Sequence, residues 1–191
     1  MASASPRRRE LLTRLGLSFE VVPSAVAEAL PPGTPAARVV ADLALAKARD
    51  VAGGLGPGAV VLGADTLVVL EGRPFGKPAS RDEARAMLVA LRGRAHEVVT
   101  GVAVLETTAP RREAVETVTS QVVMRDYAET ELEAYVATPE PYDKAGAYAV
   151  QGLGGRLVAR VEGCYTNVVG LPVSTTARLL RAFGLEPTLS E

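Results

Sequence analysis

An almost wholly apolar stretch, Val60–Leu70, is interrupted by one charged side chain, Asp65. Its β-branched and aliphatic residues predict a buried strand. Burial of an unpaired carboxylate is strongly unfavourable, so Asp65 must be paired, bind a metal or lie at the edge of a cleft. The alternative is a residue that only closes a turn at the strand end. Gly63, two positions earlier, allows another backbone or a ligand to approach closely.

The first helix is predicted by its cap, because Ser5 is a good N-cap and Pro6 suits the first helical position. Three arginines, Arg7–Arg9, follow in the first turn, where cations oppose the helix dipole. An anion bound at this helix start would explain them, since the free N–H groups and guanidinium groups would all face it. The alternative is a solvated basic turn.

A second helix is predicted from Thr34 to about Asp50, and it places Lys47 on the same face as Val40 and Leu43. Lysine on an apolar face often extends its ammonium to the surface. The alternative is an ammonium that reaches a cleft. Lys77 lies between Gly76 and Pro78, and the following proline holds it in an extended backbone.

The remaining pattern mixes strands and helices without a regular βαβ alternation. It predicts strands at Phe19–Val22, His96–Glu106, Glu113–Arg125 and Leu157–Val161, helices after the capping boxes at Ser80 and Thr130, a loop or short strand at Tyr165–Gly170 and a last helix from Pro172. We therefore expect one domain over residues 1–191 of mixed α/β (α+β) class. Its central, mostly antiparallel sheet would be flanked by helices, with two lobes enclosing a cleft.

The amino-acid composition argues against several classes of function. A net charge of −1, no Trp and three Phe argue against nucleic-acid binding. The single Cys164 excludes an internal disulfide and a cysteine-only zinc site, and the single His96 leaves little for a histidine metal site. Neither a long apolar run nor a signal peptide is visible, so we expect a cytoplasmic protein with no membrane association.

The polar residues that interrupt apolar or small-residue stretches are rich in cations, although the chain is nearly neutral. They are Ser3, Ser5, Arg7, Arg8, Glu28, Lys47, Asp65, Lys77 and Lys144. This set fits a small polyanion bound with a divalent metal, for which Glu28 and Asp65 offer oxygen ligands suited to Mg²⁺ or Mn²⁺. The sequence has no Walker P-loop, G-x-G-x-x-G or G-x-S-x-G motif.

Several motifs, taken together and in order, resemble the Maf family of nucleoside triphosphate pyrophosphatases over essentially the whole chain. They are Ser3–Leu12, Gly63–Thr66, Gly76–Pro78, Asp143–Tyr148, Gln151-Gly152 and Val169–Pro172. The resemblance implies a Maf/ITPase-like fold, a homodimer, and cleavage of a nucleoside triphosphate between its α and β phosphates. It also implies an association with inhibited septum formation.

By the same resemblance, Asp65 accepts a proton from the attacking water, and Glu28 and Asp65 hold the divalent metal. The triphosphate would be bound by Ser3, Ser5, Arg8, Lys47, Lys77 and Lys144. Arg7, Thr66 and Gln151 resemble the dTTP/UTP pyrophosphatases at the places where the subfamilies differ. The branch acting on 7-methyl-GTP tends to carry Trp, Gln and Glu there. Two alternatives remain: the 7-methyl-GTP activity, and a non-catalytic nucleotide-binding regulator of cell division.

Overall fold

The computed structural model describes residues 1–31 and 33–188, so Pro32 and residues 189–191 of the domain predicted over 1–191 lie outside it. Its strands are β1 (Val60–Leu70), β2 (Arg73–Phe75), β3 (Ala95–Glu106), β4 (Arg112–Met124) and β5 (Val158–Glu162). They form a five-stranded sheet in the order β2-β1-β3-β4-β5, and each pairing between neighbours is antiparallel. The predicted mixed α/β class with helices around an antiparallel sheet is confirmed.

Helices cover both faces of this sheet. They are α1 (Pro6–Thr13), α2 (Ala36–Ala52), α3 (Arg81–Leu91), α4 (Glu129–Val136), α5 (Tyr165–Val169) and α6 (Val173–Ala182), with 3₁₀ turns at Glu140–Asp143, Ala145–Ala147 and Leu153–Leu157. Helix α2 packs on the face that carries Val61 and Leu105. On the opposite face, α1 and α6 pack against Leu62, while α3 and α4 pack against Val68.

Two glycines let α2 lie unusually close to the sheet. A Cβ at Gly63 would lie 2.2 Å from the carbonyl oxygen of Ala44, and one at Gly101 would lie 2.3 Å from that of Val40. Such distances exclude any side chain at either position without movement of the helix. The close approach predicted at Gly63 is therefore confirmed, and it brings Lys47 of α2 within reach of Asp65 on β1.

Two sequence predictions near the ends of the chain are wrong. Residues 19–22, all of them described, form no strand; instead Val22 donates its N–H to the carbonyl of Met1, and the Met1 amine donates to Glu20. Tyr165–Val169 is a short helix rather than a loop or strand. Buried Asn167 fixes that helix to the sheet by donating Nδ2–H to the carbonyl of Val98, a long-range contact that periodicity does not reveal.

The other helix predictions differ mainly at their boundaries. Helix α4 begins at Glu129, not after Thr130, and Glu131 accepts the N–H of Ala128. Helix α2 begins two residues later than predicted, at Ala36. In the part of the chain that is described, no helix has the length and apolar character needed to cross a membrane.

Candidate active site

One cavity, of about 930 Å³, lies beside β1 and the start of α1. All eleven site residues predicted from the sequence line it: Ser3, Ser5, Arg7, Arg8, Glu28, Lys47, Asp65, Thr66, Lys77, Lys144 and Gln151. The edge of β1 is open here because β2 pairs only with Val68–Leu70. Side chains from both faces of β1 can therefore reach the same space.

The start of α1 is built as the sequence predicted. Ser5 caps the helix, with its Oγ accepting the N–H of Arg8 at 3.4 Å, and Pro6 occupies the first helical position. Ser3 Oγ accepts the N–H of Ser5 at 3.3 Å. Ala2 donates its N–H to the carbonyl of Leu62, so the segment before the helix is anchored on β1 and holds both serines at the cavity.

The Arg8 guanidinium connects three parts of the fold. Its Nε donates to the carbonyl of Gly170 at 2.9 Å, Nη1 to Ser3 Oγ at 3.3 Å and Nη2 to Thr66 Oγ1 at 3.0 Å. Burial lowers the pKa of Arg8, while the carboxylates of Asp65 and Glu28 partly offset this effect. The three hydrogen bonds fix the orientation of the Arg8 guanidinium before any ligand binds.

Thr66 belongs to a chain of hydroxyl groups. Its Oγ1 lies 2.9 Å from Thr100 Oγ1, and Thr100 donates in turn to the carbonyl of Asn167 at 3.2 Å. Since the proton of Thr100 goes to that carbonyl, Thr66 donates to Thr100 and accepts from Arg8. The Thr66 hydroxyl thus orients Arg8.

Lys47 resolves the choice left open by its position on α2, because its ammonium reaches the cavity instead of the surface. Nζ donates to Asp65 Oδ1 at 2.7 Å and to Glu28 Oε1 at 2.6 Å. The side chains of Lys47 and Asp65 are only 8% and 7% exposed. Asp65 is therefore a buried, paired carboxylate at the cavity wall, which is one of the situations that the apolar stretch predicted.

Glu28 lies between two lysines. Besides its bond to Lys47, it accepts a longer contact of 3.4 Å from Nζ of Lys77. Burial by itself would raise the pKa of Glu28, but the hydrogen bond and charge of Lys47, with the charge of Lys77, leave it lowered. These contacts hold the irregular segment that carries Glu28 against Lys47 and Lys77.

Arg7, near the N-terminus, and Lys144, adjacent to Asp143, both bind the same carboxylate. Arg7 Nη1 donates to Asp143 Oδ2 at 3.1 Å, and Lys144 Nζ donates to Asp143 Oδ1 at 2.5 Å. Burial acts to raise the pKa of Asp143, and the two cations outweigh it and lower the pKa. Asp143 is 61% exposed, so an incoming anion could compete with it for both cations.

Three residues that organise the site were not selected from the sequence. Thr100 and Asp143 each contact a predicted site residue through a hydrogen bond, and Glu140 binds the loop that follows Gln151. Thr100 could have been selected, because its hydroxyl interrupts the apolar β3 stretch just as Asp65 interrupts β1. Glu140 gave no such signal, because it lies in a Pro-Glu-Pro segment that predicts only the end of a helix.

The carboxylates fit a divalent metal only if a substrate completes its coordination. Among the residues that the structure describes, no group of three or more His, Cys, Asp or Glu could hold a metal ion. Glu28 and Asp65, however, already converge on one cation, the ammonium of Lys47. Mg²⁺ is commonly held by one or two carboxylates with substrate phosphates and water as its other ligands.

The comparisons with known proteins agree with the sequence motifs. A family model described as "Maf-like protein" matches residues 1–183. The chain is 55% identical over 187 residues to the dTTP/UTP pyrophosphatase of Moorella thermoacetica, covering 97% of this chain and 95% of that protein. It is 49% identical over 184 residues to that of Pelotomaculum thermopropionicum, covering 96% and 95%.

A more distant match is the crystal structure of a nucleoside-triphosphatase/dITP/XTP pyrophosphatase from Mycobacterium abscessus. It shares 18% identity over 95% of each chain with a TM-score of 0.46, a likeness too weak to support any conclusion here.

Proposed function

This chain belongs to the Maf-like protein family, and on that premise we propose that it is a nucleoside triphosphate pyrophosphatase acting on dTTP and UTP. The names of its relatives, at about half identity over nearly full length, support this substrate class. The observation that carries the chemistry is the meeting of Asp65, Lys47 and Glu28 in a cavity rich in cations.

The reaction is attack by water at the α phosphorus, with the bond to the β phosphate breaking to give a monophosphate and pyrophosphate. Asp65 accepts the proton of the water. Lys47 already donates to Oδ1, so Oδ2 is the oxygen that takes the proton. The ammonium of Lys47 keeps the carboxylate fixed while the water and the phosphate are aligned.

The phosphate chain is held by a cradle of cations and hydroxyl groups. Its members are Ser3, Ser5, Arg8, Lys47, Lys77 and Lys144, which all line the cavity. Arg8 is oriented in advance by its three protein bonds, whereas Lys77 is 55% exposed and can move toward the substrate. The start of α1 adds the N–H of Arg7 and the favourable end of the helix dipole, because Pro6 has no N–H and those of Arg8 and Arg9 are bonded to Ser5.

We assign a divalent metal, Mg²⁺ or Mn²⁺, to Glu28 and Asp65, which would hold it beside the bound phosphate chain. When bound, it offsets the negative charge that develops on the phosphoryl oxygens. Chelation by EDTA should abolish pyrophosphate release, and either ion should restore it. Full activity in EDTA would contradict this assignment.

Base selection is assigned to Arg7, Thr66 and Gln151, all of which line the cavity. The amide of Gln151 can both donate and accept, as a pyrimidine edge requires. Thr66 acts indirectly, since its hydroxyl is engaged with Arg8 and Thr100.

The test is a metal-supplemented panel of dTTP, UTP, 7-methyl-GTP and the remaining canonical triphosphates, with products identified. We expect pyrophosphate and the monophosphate, fastest from dTTP and UTP. Asp65→Asn should retain nucleotide affinity but lose pyrophosphate release. Asp42→Asn, which changes an exposed aspartate on α2, is the matched control and should behave as wild type.

Two outcomes would replace the proposal. A strong preference for 7-methyl-GTP would assign the chain to the other substrate branch. Nucleotide binding without pyrophosphate release from any triphosphate would favour the non-catalytic regulator of cell division, whose association with septum formation would then involve no chemistry.

We further propose a single cytoplasmic domain that works as a homodimer. Analytical ultracentrifugation should give about twice the chain mass of 19.9 kDa. A monomeric mass at working concentration would contradict the dimer.

A further inference from the structure

The loop that carries Gln151 is fixed by one carboxylate outside the set of predicted site residues. Glu140 Oε1 accepts the N–H of Gly154 at 2.8 Å, and Oε2 accepts the N–H of Leu153 at 3.1 Å. The hydroxyl of Tyr135 donates to Oε1 at 3.1 Å. Three donors from two segments therefore converge on a single side chain.

The same carboxylate also leaves no room for a side chain at the position that follows Gln151. Gly152 has φ +78°, and a Cβ there would lie 2.6 Å from Glu140 Oε2. The loop thus passes directly over the carboxylate, with the residue adjacent to Gln151 in contact with it. Val150, on the other side of Gln151, packs against the hydrophobic core, whereas Leu153, the residue after Gly152, is 46% exposed. Apolar packing therefore holds the chain before Gln151, and the carboxylate holds the chain after it.

The chemistry of the contact requires a carboxylate. An ionised Glu offers acceptor sites on both oxygens, and all three groups that meet it are donors. A Gln at this position would keep one acceptor oxygen but would turn its NH₂ group toward an N–H, replacing a hydrogen bond with a donor–donor contact. The backbone carbonyl of Glu140 also accepts Nζ of Lys144 at 2.7 Å.

We propose that Glu140 is a positioning residue for substrate selection: its carboxylate holds Gln151 where the amide meets the nucleobase. This inference rests on the proposed function, because it takes Gln151 as the residue that contacts the base. Glu140 does not act on the phosphates, and its side chain leaves the Asp65–Lys47 pair untouched. Its loss should therefore weaken the selection of dTTP over a purine nucleotide while preserving the rate of turnover.

The experiment is a double-mutant cycle of Glu140→Gln and Gln151→Ala. The readout is the ratio of kcat/KM for dTTP to that for dGTP. We expect Glu140→Gln to lower this ratio about tenfold, mainly by raising KM for dTTP, as for the loss of one well-placed polar contact. In the Gln151→Ala background the same change should add little, because the two residues act through one contact.

The matched control is Glu131→Gln. Glu131 also accepts a backbone N–H, from Ala128, but it lies on α4 away from the cavity lining. Its substitution should leave the ratio unchanged. If Glu140→Gln fails to fold, Glu140→Asp keeps the charge but withdraws the carboxylate from the N–H groups of Leu153 and Gly154, and it should lower the ratio about two- to threefold in the same cycle.

An unchanged ratio in Glu140→Gln, an equal drop in both backgrounds, or no effect of Gln151→Ala would each overturn the inference. Failure of the proposed function is a separate result, seen as no pyrophosphate release by wild type. In that case the ratio of the dissociation constants for dTTP and dGTP, measured in the same variants, tests the positioning role of Glu140 by the same criteria.

Discussion

Removal of the Lys47 charge by Lys47→Met tests the buried pair at the centre of the site. The thioether chain fills a similar volume but leaves Asp65, whose side chain is 7% exposed, without the ammonium 2.7 Å from Oδ1. Loss of one partner of a buried pair costs about 3–5 kcal/mol. Asp65 faces a cavity that water can enter, so we expect about 3 kcal/mol, or a fall in Tm of roughly 6–12 °C in a chain of this size.

The assay is chemical and thermal unfolding of wild type, Lys47→Met and the double variant Lys47→Met/Asp65→Asn. The double variant removes the uncompensated charge and should recover most of the lost stability. It should remain inactive, because it lacks the proton acceptor. The double variant thus distinguishes the contribution of the Lys47–Asp65 pair to stability from its contribution to catalysis. Arg38→Met, which breaks an exposed ion pair with Asp42 on the same helix, should leave Tm unchanged.

A Lys47→Met protein within about 1 kcal/mol of wild type would contradict the predicted cost, because the pair would then behave like a solvent-exposed ion pair. A double variant no more stable than Lys47→Met would also refute it, since the cost would lie in lost packing rather than in the unpaired carboxylate.

Three further predictions follow from single contacts. Gly101→Ala should lower Tm by several degrees, since its Cβ would clash with α2, while Gly56→Ala, with open space around it, should not; equal Tm values would contradict the close packing. The folded pKa of Glu28 lies below its ordinary value of 4.5, so its stabilising contribution is present above that pH and is lost as the pH falls through the folded value. Glu28→Gln should therefore flatten the acid side of the Tm–pH curve, and an unchanged curve would contradict this. Thr66→Val should lower kcat/KM about tenfold by releasing Arg8, with Thr66→Ser close to wild type; equal loss in both variants would contradict the role of the hydroxyl.

Local pattern was sufficient to predict most of the sheet and to select nine of the eleven candidate residues, whereas Thr66 and Gln151 came from the resemblance to the Maf family. The apolar stretch around Asp65 follows from side-chain character alone, because a buried strand contains few polar residues. The strands β3 and β4 follow from stretches rich in β-branched residues. The Ser5 cap and the position of Lys47 on the buried face of α2 follow from helix geometry, which is equally local. An isolated polar residue in such a stretch must have a partner, so it can be identified before the partner is known.

Which groups these residues contact depends on the packing of distant segments. Arg8 and Thr66 are 58 residues apart, and Arg7 and Asp143 are 136 apart, so no local spacing relates them. Periodicity places a side chain on a face of its own element, but which group it meets depends on how distant segments pack. For this reason helix periodicity allowed Lys47 to reach either the surface or a cleft, and the close packing of α2 on the sheet directs it to the cleft. The hydrogen bonds from Leu153 and Gly154 to Glu140 likewise form only when the chain is folded.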